Sequence, residues 1–244
     1  MHWTLEANLA AIRGAIRTAN DQGASICVFS ELALTGFHRQ VPNYLKPQII
    51  DPAVEEIRAL CAQRRVAVAV GTPGFDEQGL KYINHLLIDE AGAVSASISK
   101  RGLTDPEATV FSRGSSRPIG VLQGLRCTAV ICREISDFKE ITAELPSGSL
   151  DVIFVPGALR QDPDLPFSDP PPYVADIQAI AKATGSYAVQ TNWPNALNRP
   201  EESAEAGQSC VVSPSGELLF RLPKEASGVG VFALGSRSFT WHPQ

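Results

Sequence analysis

Apolar runs of strand length alternate with stretches of helical periodicity along the whole chain of 244 residues. Leu5, Leu9, Ile12 and Ile16 recur at the spacing of one helix face, which predicts an amphipathic helix near the start. Short runs rich in valine and isoleucine, bounded by glycine or proline, predict strands and hairpins. Because helices and hairpins are interleaved without a linker or an internal repeat, the sequence predicts an α/β fold, a layered sandwich in a single domain over residues 1–244.

The predicted elements extend through both halves of the chain. The predicted strands, by residue number, are 28–29, 66–70 (stopped by Gly71), 82–88, 94–98, 119–122, 127–131, 151–155, 187–191, 209–212, 218–221 and 229–234. The predicted helices are one beginning after the N-cap Thr4, one with Asp51 capping Pro52 at its first position, and residues 135–145 and 174–184. Residues 162–172 contain five prolines and predict a stiff loop that is long enough to be functional.

Composition excludes several classes of protein. Hydrophobic residues make up 44% and charged residues 19%, with a formal net charge of -5 and no basic stripe, so no nucleic-acid partner is predicted. No apolar run approaches the roughly 18 residues of a membrane span, and the start lacks the pattern of a signal peptide. The sequence therefore predicts a soluble protein that does not bind a membrane.

The cysteines indicate a reducing compartment. Cys27, Cys61, Cys127, Cys132 and Cys210 are an odd number, are scattered, and include no CxxC pair, which argues against a disulfide framework. The four histidines are far apart as well, so a structural zinc site is not predicted. A cytoplasmic location is the prediction that follows.

Three chemically distinct side chains stand at the ends of strand-like runs. Glu31 ends one such run, Lys100 ends a second, and Cys132 ends the strongest, residues 127–132. Ligand sites of α/β sheets gather at the carboxyl ends of strands, so we expect these residues to meet. Covalent hydrolysis of an unreactive C–N bond needs a nucleophile, a proton shuttle and positive charge for the oxyanion. A thiol, a carboxylate and an ammonium supply one group of each kind.

Six motifs in order resemble the nitrilase (carbon–nitrogen hydrolase) superfamily over nearly the whole chain. They are VFSELALTGF, SISKRG followed by DPEATVFSRG, AVICREI, VIFVPGA, AVQTNWP and GQSCVVSPSGELL. The resemblance implies an αββα sandwich of the nitrilase type, association into a homodimer or higher homo-oligomer, and chemistry without a cofactor. It also implies a first strand ending in Gln about ten residues before the first helix, whereas this sequence begins almost at that helix.

The resemblance also assigns roles to the catalytic candidates. It implies that Glu31 is the general base and acid, that Lys100 stabilises the tetrahedral oxyanion, and that Cys132 is the nucleophile that forms a thioester. Glu107 is similar to the family's second glutamate, which orients Lys100 or the substrate. The predicted order along the chain is Glu, Lys, Cys.

Three further residues are candidates for substrate binding or for the oxyanion hole. The backbone N–H of Arg133 is expected to complete the oxyanion hole, and the Arg133 side chain either binds a substrate carboxylate or forms a surface salt bridge. The Glu134 side chain is likewise expected either to bind substrate or to form a surface salt bridge. Trp193 either lines the pocket or packs as an ordinary aromatic residue.

The sequence predicts a hydrolase that cleaves a non-peptide C–N bond of a small linear amide or carbamoyl compound, with a small-molecule amide as its partner. An alternative is a non-catalytic protein that kept the fold for binding or scaffolding. Two departures from the family pattern favour that alternative slightly: the family's first strand is missing, and residues 179–185 read AIAKATG. The presence of all three chemical groups opposes it.

Overall fold

The computed structural model describes residues 1–160, 168–198, 200, 207–222 and 227–243. The α-helices are α1 (Leu5–Asp21), α2 (Pro47–Arg64), α3 (Asp105–Ala108), α4 (Phe138–Glu144) and α5 (Pro172–Thr184), and 3-10 helices span Val41–Tyr44 and Cys132–Ser136. The strands are β1 (Ile26–Val28), β2 (Ala67–Phe75), β3 (Lys81–Ile88), β4 (Val94–Ser99), β5 (Gly120–Leu122), β6 (Leu125–Ala129), β7 (Val152–Gly157), β8 (Tyr187–Asn192), β9 (Cys210–Val212), β10 (Leu218–Arg221), β11 (Gly228–Phe232) and β12 (Phe239–Pro243).

The strands form two main sheets and a separate hairpin. The first sheet has the order β1-β2-β3-β4, in which β1 and β2 are parallel and the other neighbours antiparallel. The second sheet has the order β10-β9-β8-β7-β6-β5, with a parallel centre of β6, β7 and β8. Strands β11 and β12 pair only with each other among the described residues.

The two sheets stack between two layers of helices. Val68 and Val70 of β2 pack in a cluster with α1 and α2, whereas Ala67 and Ala69 of the same strand face the second sheet. Ile153 of β7 packs in a third cluster with α4 and α5. Strands covered on both faces read as continuous apolar runs, which explains the sequences of β2 and β7. The predicted αββα sandwich is confirmed. No helix in the described ranges is long and apolar enough to cross a membrane.

Capping residues and turn residues in the sequence predicted several helices and strands correctly. The Thr4 hydroxyl caps α1 by accepting a hydrogen bond from the N–H of Ala7, 3.3 Å away. The hairpin of β3 and β4 lies where it was predicted. Helix α5 ends at Gly185, whose φ of 66° is the left-handed conformation that glycine adopts at a helix end.

Other predicted boundaries were wrong. Helix α2 begins at Pro47 rather than at Pro52, because Ile50 is already buried against the core and extends the helix backwards. The strand predicted to stop before Gly71 runs on to Phe75. A Cβ at Gly71 would lie 2.4 Å from both Leu32 N and Ser30 O, so glycine lets β2 pass directly beneath the turn that carries Glu31.

Similar differences affect the second half of the chain. Strand β6 ends at Ala129, and the helix predicted over 135–145 is divided at Asp137 into a 3-10 helix and α4. Strand β7 includes Pro156 and Gly157, which were predicted to stop it. In the proline-rich loop predicted over 162–172, residues 162–167 lie outside the described residues. Strand β12 was not predicted.

His85 is a neutral base in the core between the sheets. It is fully buried on β3, and neither ring nitrogen has a hydrogen-bond partner among the residues described. Burial lowers the pKa of His85 to about 3. The His85 side chain of the unfolded chain binds a proton near pH 6.5, whereas that of the folded chain does not. Protonation of His85 therefore does not reduce the free energy of unfolding above about pH 6.5, and it reduces it progressively as the pH falls towards 3.

We therefore expect His85→Leu to flatten the dependence of unfolding free energy on pH. Between pH 8 and pH 5 the unaltered chain should lose about 2 kcal/mol through this group, and the variant should lose less. Urea denaturation at the two pH values measures the difference. His242→Leu on β12 is the matched control, and equal pH dependence in all three proteins would contradict the expectation.

Candidate active site

The candidate site forms where strand ends of the two sheets meet. Glu31 lies in the turn that follows β1, and Lys100 directly follows β4, so both belong to the first sheet. Cys132 follows β6 of the second sheet and begins a 3-10 helix. Its φ of 53° is unusual for a residue with a side chain, and strain of this kind gathers at functional sites. The structure thus brings Glu31, Lys100 and Cys132 together from three distant segments.

Lys100 is held between two carboxylates. Its Nζ lies 2.7 Å from Glu31 Oε1 and 2.6 Å from Glu107 Oε1. The side chains of Lys100 and Glu31 are 0% exposed and that of Glu107 is 6% exposed. Burying charges at this depth is costly unless they are paired, so these groups stabilise one another in the ionised form.

A capping box fixes Glu107. The N–H of Thr104 donates to Glu107 Oε2 at 2.8 Å, and the Thr104 hydroxyl accepts from the N–H of Glu107 at 3.4 Å. One carboxylate oxygen therefore closes the first turn of α3, and the other is left for Lys100. The spacing Thr-x-x-Glu is a capping-box signature that could have been read from the sequence.

Burial and charge set the resting protonation of the site. Burial raises the pKa of Cys132 to about 12, with Glu31 adding to the rise and Lys100 opposing it. Burial also raises the pKa of Glu31, and Lys100 opposes that shift. Burial lowers the pKa of Lys100, but Glu31, Cys132 and Glu107 outweigh it, so the net shift is upward. The thiol is therefore protonated at rest and the ammonium is charged.

Glu31 retains an oxygen that can accept a proton. Its Oε2 is buried, and no described residue donates a hydrogen bond to it within bonding geometry. The Cys132 thiol is nonetheless close enough to oppose part of the rise that burial causes in the pKa of Glu31. All five cysteines are free; Cys132 is half-buried, whereas the other four are buried. The partly accessible thiol is thus the one beside the carboxylate.

Arg133 and Glu134 are both engaged by protein partners. The Arg133 guanidinium is 40% exposed and donates from Nε to Gly102 O at 3.1 Å and from Nη2 to Asp137 at 2.8 Å. The Glu134 carboxylate is buried and accepts four hydrogen bonds, including one of 2.7 Å from the N–H of Ile131. A role for either side chain in substrate binding stays a prediction.

Trp193 stands between the site and a small cavity. Its Nε1 donates to Glu31 O at 2.8 Å. The cavity has a volume of about 310 Å³, at the lower end for small-molecule sites, and its lining includes Trp193 and Ala158. A backbone hydrogen bond of Ala158 reaches the Cys132 thiol. The remaining lining residues are Met1, Phe37, Pro106, Arg160, Asn195, Ala196, Leu197 and Asn198.

Two further residues help to hold the site together: Asn192, which lies in the AVQTNWP motif, and Arg117, which no sequence pattern singled out. Asn192 accepts from the N–H of Leu159 at 2.7 Å and donates to Leu159 O at 2.7 Å, which fixes the chain beside Ala158. Arg117 donates to Ala129 O and to Glu134. Within the described ranges, no group of three or more His, Cys, Asp or Glu side chains could hold a metal ion.

The sequence model of the carbon–nitrogen hydrolase family matches residues 1–238. The chain therefore belongs to the carbon–nitrogen hydrolase family, within the nitrilase superfamily. Nitrilase 2 of an unknown prokaryotic organism is 29% identical over 150 residues, which are 52% of this chain and 48% of that protein. The chain thus spans about half the length of that curated relative.

Solved structures of the amidase from Nesterenkonia sp. AN1 are similar to this chain. One, a glutamate-to-glutamine mutant that shows the result of Michael addition of acrylamide at the active-site cysteine, has 25% identity and a TM-score of 0.76. The match covers 91% of this chain and 85% of that one. A glutamate-to-leucine mutant carries the acetamide moiety of fluoroacetamide at the same cysteine; it has 26% identity, a TM-score of 0.75, and coverage of 91% and 82%.

Proposed function

We propose that this chain hydrolyses the C–N bond of a small linear amide or carbamoyl compound through a thioester on Cys132. The observation that carries the proposal is the position of Lys100, which bridges Glu31 and Glu107 beside the one half-buried thiol. The cavity of about 310 Å³ has room for a small substrate. Acrylamide and fluoroacetamide, which react with the cysteine of the similar amidase, are small amides of this kind.

In the first half of the reaction, Cys132 Sγ forms a bond to the amide carbon. Because the thiol is protonated at rest, its proton moves to Glu31 Oε2 as the S–C bond forms. The carbonyl π electrons move to oxygen, and the Lys100 ammonium and the N–H of Arg133 stabilise the oxyanion. Glu31 then gives the proton to the leaving nitrogen, the C–N bond breaks, and ammonia or an amine leaves a thioester on Cys132.

In the second half, water replaces the amine. Glu31 takes a proton from water as the oxygen attacks the thioester carbon, and the same cation stabilises the second oxyanion. When the C–S bond breaks, Glu31 returns the proton to sulfur and the carboxylic acid leaves. Glu107 keeps Lys100 charged and in place during both halves, since its Oε1 remains 2.6 Å from Nζ.

The direct test combines product release with mass spectrometry. The unaltered chain is incubated with short aliphatic amides, ω-amido acids, carbamoyl compounds and nitriles, and ammonia release is followed. Acid-quenched samples should carry an acyl adduct on Cys132, because a thioester survives acid. The absence of both ammonia and adduct across the panel would contradict hydrolysis and leave a non-catalytic binding or scaffold protein. Homo-oligomerisation and a cytoplasmic location remain predictions.

Trp193→Phe should slow the reaction without unfolding the protein. The change keeps an aromatic ring at the cavity but removes the indole N–H that donates to Glu31 O. Because loss of one such donor costs about 1–1.5 kcal/mol, kcat/KM is expected to fall roughly tenfold. Trp241→Phe on β12 is the matched control and should leave kcat/KM unchanged. Equal kinetics for both variants would contradict the role of the Trp193 hydrogen bond.

A further inference from the structure

The reacting groups proposed above come from two sheets whose shared core is largely apolar. Lys100 and Glu31 follow strands of the first sheet, and Cys132 follows a strand of the second. The core between the sheets is a cluster of aliphatic and aromatic residues. Hydrophobic burial is non-directional, so it does not by itself fix the distance between the ammonium and the sulfur. A directional contact across the two strand ends is needed for that.

Glu134 makes such a contact. Its Oε1 accepts from the N–H of Arg101 at 2.5 Å and from the N–H of Gly102 at 3.1 Å, the two residues that follow Lys100. Its Oε2 accepts from the N–H of Ile131, the residue before Cys132, at 2.7 Å. One buried carboxylate is therefore bonded to the backbone on both sides of the site.

Arg117 connects the Glu134 carboxylate to the end of β6. Its Nη1 lies 2.9 Å from Glu134 Oε2 and 2.6 Å from Ala129 O, at the end of β6. The Arg117 and Glu134 side chains are 4% and 1% exposed. Glu144 on α4 forms ion pairs with both Arg117 and Arg101, which ties the same two segments together on the outer side.

We propose that the Glu134–Arg117 ion pair is a positioning device that sets the placement of Cys132 relative to Lys100 across the two sheets. The proposal rests on the function proposed above, because its effect is measured on the same reaction. The Glu134 carboxylate is buried and bonded to four protein donors, so it acts through the backbone that carries the two reacting groups. Charge-assisted hydrogen bonds to the backbone are short and directional, which suits this task.

Glu134→Gln tests the proposal with almost no change in shape. The amide keeps one acceptor oxygen, but its NH₂ group then faces the N–H donors that Oε2 accepts from, so one side of the link is broken. A misplacement of about 1 Å can cost 100-fold in rate, so kcat should fall about 100-fold. KM should change by no more than about threefold, because uniform substrate binding is retained.

Asp151→Asn is the matched control. Asp151 is also a carboxylate that accepts a backbone N–H, from Arg126 at 2.7 Å, but it precedes β7 at the end opposite the site and is exposed to solvent. Its kcat should stay within twofold or so of the unaltered chain, since the site geometry is untouched. Both variants are assayed well below their unfolding temperatures, so that a loss of stability alone does not lower kcat.

Arg117→Met and the double variant with Glu134→Gln show whether the pair acts as one unit. If it does, the double variant should lose about as much kcat as either single variant. A large rise in KM with kcat intact would instead make Glu134 a substrate-binding residue and overturn the proposal. So would a lowered unfolding temperature with kcat within threefold or so, or fully additive losses. Absence of hydrolysis by the unaltered chain would overturn the proposed function and this role together.

Discussion

Cys132→Ala is expected to release no measurable ammonia from any amide that the unaltered chain hydrolyses. Turnover through a thioester requires the sulfur, and removal of a nucleophile of this type lowers kcat by on the order of 10⁴ or more. The fold should survive, because the side chain is half-buried and small. Ammonia release and acid-quenched mass spectrometry, with and without a small amide, measure the loss of turnover and of the adduct.

The prediction applies to Cys132 and not to the other cysteines, because a thiol with a raised pKa needs a base beside it. Because the pKa of Cys132 is raised well above neutral pH, the thiol is protonated at rest and free thiolate does not carry the proposed reaction. In the proposed reaction, attack on the substrate is therefore coupled to transfer of the proton to Glu31. Burial raises the pKa of Cys127 to about 12 as well, but Cys127 lies in the core between the sheets, away from Glu31.

Cys127→Ala is therefore the matched control. It removes a thiol from the same strand, β6, and leaves a small void in the core, so the unfolding temperature should fall slightly while kcat per folded molecule is kept. Equal loss of turnover in the two variants would show that Cys132 has no special role. Retained turnover in Cys132→Ala would refute the thioester itself.

Glu31, Lys100 and Cys132 could be placed from the sequence because each stands at the end of a short apolar run. The carboxyl ends of parallel strands lie at the same edge of a sheet, as those of β1 and β4 do, so the predicted class of site did not depend on exact strand boundaries. Strand β6 ends three residues before Cys132, and the prediction of the meeting point still holds. The single-domain extent over 1–244 remains a prediction.

The contacts that join the two sheets could not be read in the same way. Glu134 bonds to the N–H groups of Arg101 and Gly102, which are more than 30 residues away, and no local pattern encodes such a partner. Arg117 carried no signal for the same reason. Gly71 was misread as a strand end because glycine both stops strands and permits close backbone approach, and sequence alone does not separate these uses.

Lys100→Met is expected to impair both stability and catalysis, through separate physical causes. The substitution preserves length but leaves Glu31 and Glu107 buried without their cation, which typically costs about 3–5 kcal/mol. Burial and the charge of Glu107 already raise the pKa of Glu31, and without Lys100 the main opposing charge is lost in the folded variant. The deficit in unfolding free energy should therefore be small below about pH 4.3 and grow as the pH rises.

Catalysis should fall by a factor of about 10²–10³ in kcat, because the oxyanion loses its main cation. Adding Glu107→Gln to Lys100→Met separates the two effects: it removes one unpaired buried charge and should restore much of the stability at neutral pH, but none of the activity. Urea denaturation from pH 4 to 8 and ammonia release measure each. Lys139→Met, on exposed α4 surface, should change neither. Recovery of turnover together with stability would reduce Lys100 to a structural partner of the carboxylates and remove it from the reaction.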